Sequence, residues 1–163
     1  MKKKPLVLVL AGSASDAPAL KGAREALEEL SIPFSFRVAS AHRTPDRAAS
    51  LVEKAEKDGV RVIIACAGMA NHLAGAAAAR TVLPVIGVPL ASSALGGLDS
   101  LLSTVQMPPG IPVATVAVGG AYNAAILAAE IIALGDGRVR RGLEAMRGRM
   151  PRKVEETDGK AGI

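Results

Sequence analysis

The sequence predicts an α/β domain, a three-layer sandwich with a central parallel sheet and an extra C-terminal helix. Three observations carry that expectation. Four short segments are apolar almost without interruption, which is the pattern of strands buried on both faces. Helical patterns alternate with them along the chain. The polar and glycine-containing stretches fall in the loops that follow the strands, where open α/β sheets bind their ligands.

Taken in order, the first strand is Leu6-Val7-Leu8-Val9-Leu10, followed by a helix over about Ala17–Leu30. Phe34-Ser35-Phe36-Arg37-Val38 alternates in polarity and reads as a strand nearer an edge. A helix over Pro45–Lys57 begins with proline, which suits the first helical turn. Val60 to Cys66 is the third strand and Asn71–Thr81 the next helix. Val85-Ile86-Gly87-Val88 and Val113-Ala114-Thr115-Val116-Ala117-Val118 are the last two strands, flanking a short helical pattern over Asp99–Gln106. Ala121–Leu134 and roughly Gly137–Lys153 close the chain as helices. Right-handed crossovers leave few arrangements, and the flavodoxin-like one is expected.

The 163 residues, 50% of them hydrophobic, suit a single domain over 1–163 that buries about 68–70% of its unfolded surface. Residues 1–4 and 155–163 are expected to be flexible ends. Aromatics are confined to Phe34, Phe36 and Tyr122, so the core must be built from Val, Ile, Leu and Ala. Small-residue faces such as Ala76–Ala79 predict close packing against other copies of the chain. The net charge of +5 sits at the ends: residues 5–135 hold nine basic against ten acidic side chains, and 136–153 seven against two. With no basic stripe on the body and few aromatics to stack bases, nucleic acid is not an expected partner. The lone Cys66 excludes an internal disulfide and a thiolate zinc cluster. Leu6–Ala11 is too short to span a membrane, so a soluble, cytoplasmic protein is expected.

Each strand-end loop carries polar chemistry. Gly12-Ser13-Ala14-Ser15-Asp16 opens a helix, where free N–H groups and hydroxyls attract an anion and Asp16 suits ribose hydroxyls; the same residues also read as a plain N-cap. It lacks the Gly-Lys-Ser/Thr ending of a Walker loop and the third glycine of a dinucleotide fingerprint, which favours a mononucleotide. Ser40-Ala41-His42-Arg43-Thr44-Pro45 sets an imidazole beside a guanidinium, a proton shuttle next to an anion clamp. A structural histidine and a surface ion pair are the alternatives. Ala67–Gly75 is a small-residue turn whose amides can bind a carboxylate or carbon dioxide, oriented by Asn71 and His72, although Asn71 also reads as a helix cap. His42 and His72 lack the further ligands a metal site needs. Ser92, Ser93, Gly96, Gly97 and Asp99 follow the fourth strand, and Gly119-Gly120-Ala121-Tyr122-Asn123 the fifth. Gln106–Pro112, stiff at its prolines and hinged at Gly110, reads either as a lid over a ligand or as a rigid connector.

These residues resemble a family, the N5-carboxyaminoimidazole ribonucleotide mutases of purine biosynthesis. The resemblance covers nearly the whole chain, through the 12–16 and 40–45 motifs, Ala67-Gly68 with His72-Leu73, Pro84-Val85-Ile86-Gly87-Val88-Pro89, Gly97-Leu98-Asp99-Ser100-Leu101, Gln106-Met107-Pro108 and Gly110-Ile111-Pro112-Val113-Ala114-Thr115. It implies a flavodoxin-like homo-octamer that moves a carboxylate from an exocyclic nitrogen to ring carbon C4 without ATP, metal or other cofactor. Carried over by motif, His42 is the acid/base, Ser13, Ser15 and Arg43 hold the 5′-phosphate, and Asp16 the ribose. Gly12 belongs to the same motif. Ser40 and the loop Gly68, Met69, Ala70, Asn71, His72 and Leu73 line the pocket for base and carboxylate. Met69, Asn71 and Ala74 stand where the family mostly has glycine, alanine and proline, and Cys66 replaces a glycine. Asn71 is similar to the related carboxylases that fix free carbon dioxide onto aminoimidazole ribonucleotide. That carboxylase activity and a non-catalytic nucleotide-binding module are the competing functions.

Overall fold

The computed structural model describes residues 4–158. Five parallel strands form one sheet: β1 (Val7–Ala11), β2 (Phe34–Val38), β3 (Val62–Gly68), β4 (Val85–Leu90) and β5 (Ala114–Thr115), in the order β2-β1-β3-β4-β5. That is the flavodoxin-like order, which reverses direction between β1 and β3. The helices are α1 (Lys21–Glu29), α2 (Pro45–Lys57), α3 (Leu73–Ala78), α4 (Leu98–Val105), α5 (Ala121–Ala133) and α6 (Gly137–Asp158).

The strands alternate their side chains between two apolar layers, as period-2 geometry requires. Val7, Val9 and Ala11 join Val62, Ile64 and Cys66 beneath α1, α5 and α6. Leu8, Leu10, Ile63 and Ala65 face α2 and α3. Alanines make up most of the buried face of α5, namely Ala121, Ala124, Ala125, Ala128 and Ala129, which lets its backbone lie close to the sheet.

Register is what positions the site. Ala11 is level with Val38 on one side and Cys66 on the other, so the loops after β1, β2 and β3 emerge side by side. Gly68 is level with Leu90, which brings the chain after β4 alongside the loop after β3.

Four expectations shift. The helix expected over Asn71–Thr81 is confined to Leu73–Ala78. Ala14–Leu20 is a 3-10 helix that contains Pro18, and the α-helix starts only at Lys21; proline has no N–H to bond back along an α-helix. The fifth strand shrinks from six residues to two, with Ala114 exposed. Gly87 and Pro89 both turn their carbonyls toward β5, accepting from Val116 N–H at 3.2 Å and Gly119 N–H at 2.9 Å, but Pro89 has no N–H to return and the ladder lapses. The last helix runs beyond Lys153 to Asp158, so 155–158 are helical, while 1–3 and 159–163 lie outside the described residues. Asp136 accepts from the N–H groups of Arg138 and Val139 at its start, at 2.9 and 3.2 Å. The helix lays Val139, Leu143 and Met146 onto the α1/α5 layer, and Arg147 and Arg149 pair with Glu130 and Glu29. No described helix is long and apolar enough to cross a membrane.

Candidate functional site

The loops after β1, β2 and β3 converge on one cleft of about 610 Å³ at the carboxyl edge of the sheet. The first and third loops nearly touch at the reversal between β1 and β3. Gly12 N–H donates to the Cys66 carbonyl at 2.9 Å, and a Cβ on Gly12 would stand 3.0 Å from Ala67 Cβ.

Ser13 is the N-cap its motif allowed, and it faces the cleft as well. Its Oγ accepts from Ser15 N–H at 3.3 Å and from Ser15 Oγ at 2.8 Å, while Asp16 accepts from Ser13 N–H at 2.9 Å, closing a capping box. Ser13, Ser15 and Asp16 also line the cleft. Partial burial pushes the Asp16 carboxyl above the usual carboxylate range, opposed by the Ser13 N–H and the Arg43 charge.

The second loop is tied up from within. Ser40 Oγ accepts from the N–H groups of His42 and Arg43 at 3.3 and 3.1 Å, and Thr44 Oγ1 accepts from Ser40 N–H at 2.9 Å. Ser40 therefore shapes the turn as well as lining the cleft. His42 and Arg43 are left exposed on the cleft wall. Arg43 Nη2 reaches the Gly12 carbonyl at 3.5 Å and makes no ion pair with an acidic side chain among the described residues, against its reading as half of a surface salt bridge.

The third loop brings the second imidazole. His42 Nε2 lies 2.7 Å from His72 Nδ1, with the rings edge to face and their centroids 4.9 Å apart. One nitrogen donates and the other accepts, so the two rings must hold complementary tautomers. Gly68, Met69, Ala70 and Leu73 complete this side of the cleft. Met69 has a left-handed φ of 53°, which costs a side-chain-bearing residue about 1–3 kcal/mol. Among the described residues, no group of three or more His, Cys, Asp or Glu side chains is placed to hold a metal ion.

Asn71 departs from its expected role. Its side chain is fully buried, donates to Thr104 Oγ1 at 2.9 Å and does not line the cleft; the polar side of α4 draws the amide inward. One further expectation also moves. The loop after β5 stays away, because Gly119 is held by Pro89 and the Tyr122 hydroxyl turns to Met146 of α6. Of the two readings of Gln106–Pro112, the connector is the one seen within a single chain, with Met107 packed over Gly75 and the segment off the cleft lining. Ala41, Ala67 and Ser92 line the cleft without having been singled out as site residues. Ser92 had a signal, its place in the loop after the fourth strand; the two alanines carry no polar group to mark them. Cys66 is buried just before Ala67, and that burial pushes its thiol up to about 12.

A parallel sheet reversing at β1/β3, with hydroxyls, a guanidinium and paired imidazoles at that reversal, defines a doubly wound α/β protein with a polar cleft at the carboxyl edge of its sheet. Comparison with known proteins narrows the class. The chain belongs to the AIR carboxylase family, whose profile matches residues 6–153. It is 54% identical over 154 residues to the N5-carboxyaminoimidazole ribonucleotide mutase of Pyrococcus horikoshii, covering 94% of this chain and 87% of that protein. The Bacillus subtilis protein of the same name is 49% identical over 156 residues, covering 94% and 96%. Among solved structures, Treponema denticola PurE superposes with a TM-score of 0.83 at 30% identity, covering 98% of this chain and 99% of that one. A PurE2 form from the same organism reaches 0.88 at 30% identity, over 99% and 100%.

Proposed function

We propose that this chain is an N5-carboxyaminoimidazole ribonucleotide mutase, forming 4-carboxy-5-aminoimidazole ribonucleotide in purine biosynthesis. The observation that carries the reading is the cleft itself, where paired imidazoles line one cavity with Ser13, Ser15 and Arg43. Relatives named as mutases at about half identity over most of the chain support it.

In this reading Ser13, Ser15 and Arg43 hold the 5′-phosphate and Asp16 the ribose, while Ser40 and the 68–73 loop enclose base and carboxylate. The C–N bond of the carbamate breaks, releasing carbon dioxide as His42 gives a proton to the nitrogen. C4 then attacks the trapped carbon dioxide, and His42 takes the C4 proton, returning to its starting state. The proton balance is zero, so one imidazole serves both steps. The exposed row Leu95, Leu98, Leu102 and Val105 supports assembly of copies, proposed as a homo-octamer working in the cytoplasm.

The test offers the pure protein two substrates, N5-carboxyaminoimidazole ribonucleotide alone, and aminoimidazole ribonucleotide with bicarbonate. Efficient turnover of the first is expected; turnover of the second alone would make the chain a direct carboxylase. Arg43→Ala is expected to raise KM and weaken nucleotide binding by more than the roughly 1 kcal/mol of an exposed ion pair. Unchanged KM and calorimetric affinity would return Arg43 to the surface.

A further inference from the structure

We propose that Asn71 is a positioning residue for His72: with Ser103 and Thr104 of α4 it clamps the 68–72 loop against the strained turn at Met69. Its catalytic consequence rests on the mutase reading; the clamp itself does not.

The clamp is built from hydroxyls that bond back along α4. Thr104 Oγ1 donates to the Ser100 carbonyl at 2.6 Å; Ser103 Oγ donates most closely to the Asp99 carbonyl at 2.8 Å, with the Ser100 carbonyl at 3.2 Å and the loop's Met69 carbonyl at 3.4 Å also in reach. Toward residue 71 both present acceptor lone pairs. Residue 71 supplies the matching donors. Its N–H reaches Ser103 Oγ at 2.8 Å, and its Nδ2 reaches Thr104 Oγ1 at 2.9 Å and the Val88 carbonyl at 3.5 Å. Two residues earlier Met69 sits at φ 53°, and one residue later His72 donates its N–H to the Ala70 carbonyl at 2.8 Å and sets its ring against His42. The loop thus carries backbone strain on one side of residue 71 and a site imidazole on the other.

Asn71 is a poor choice for stability alone. Its Oδ1 is buried without a hydrogen-bond partner among the described residues, a cost that alanine would remove together with the amide bond. Glycine at 69 would adopt the same turn without strain, and the clamp would then have little to hold. Met69 and Asn71 are accordingly a coupled pair.

A double-mutant cycle of Asn71→Ala and Met69→Gly tests this, read by amide hydrogen exchange at residues 70–72, by kcat and KM on N5-carboxyaminoimidazole ribonucleotide, and by Tm. With Met69 present, Asn71→Ala is expected to speed exchange and lower kcat by about fivefold, the value of one lost hydrogen bond, with KM and Tm nearly unchanged. In the Met69→Gly background the same change is expected to be less than about twofold. Thr104→Ser, which keeps the acceptor, should exchange and turn over as the parent does, and Thr104→Val should reproduce the faster exchange and lower kcat of Asn71→Ala with a lower Tm besides, since it strands the buried Asn71 amide. Equal effects in both backgrounds, or a lower Tm with exchange and kcat held, would overturn the clamp. If the parent protein fails to turn over the substrate, the functional reading falls, and the exchange cycle still decides the clamp.

Discussion

Replacing His42 with asparagine is expected to cut turnover by about 10²-fold or more, the usual contribution of a placed acid/base group. Asparagine keeps a polar side chain on the cleft wall, but its amide ends where the imidazole Nδ1 sits, so it gives up the bond from His42 Nε2 to His72 Nδ1 along with the titratable ring. What it loses is the capacity to give a proton to the carbamate nitrogen and then take one from C4. The side chains proposed to hold the phosphate, Ser13, Ser15 and Arg43, are untouched, so affinity for the nucleotide should hold while kcat collapses. Steady-state kinetics beside calorimetric binding separates the two quantities. A protein that only binds nucleotide would have no rate to lose, and a variant within tenfold of the parent kcat would remove His42 from the chemistry.

Gly68→Ala is expected to damage folding and function together. A Cβ on residue 68 would stand 1.5 Å from Ser92 Oγ and 2.7 Å from Ser92 Cβ. The hydroxyl can swing away, but the Cβ moves only with the backbone, so the ends of β3 and β4 must part. Overpacking of this kind costs about 1–3 kcal/mol, measurable as a lower urea midpoint, and the displaced loop is the one that carries His72. Adding Ser92→Gly removes the obstructing atoms and should restore the midpoint. A Gly68→Ala protein as stable and as active as the parent would show that this contact has more room than the geometry allows.

Much of the architecture was legible because its causes are local. Pro45 at a first turn, followed by apolar residues at helical spacing, defines α2 to its ends, and the alternation of Phe34–Val38 defines β2. Pro18 could have warned of the 3-10 turn before α1, but the shortened β5 depended on a distant partner. Nothing within Val113–Val118 reveals that Pro89, far earlier in the chain, cannot return a hydrogen bond to it. The cleft was legible for a topological reason, since strand-end loops of a parallel sheet converge wherever the register levels them. The meeting of His42 with His72 across thirty positions, and the capture of Asn71 by α4, are tertiary events that no local pattern encodes.

Cys66, sealed beneath the floor of the cleft, has a practical consequence. With its thiol held protonated far above neutrality, an electrophile diffusing into the cleft meets no thiolate to alkylate. Covalent capture in the cleft would have to use another of its side chains, since the chain's one cysteine is buried.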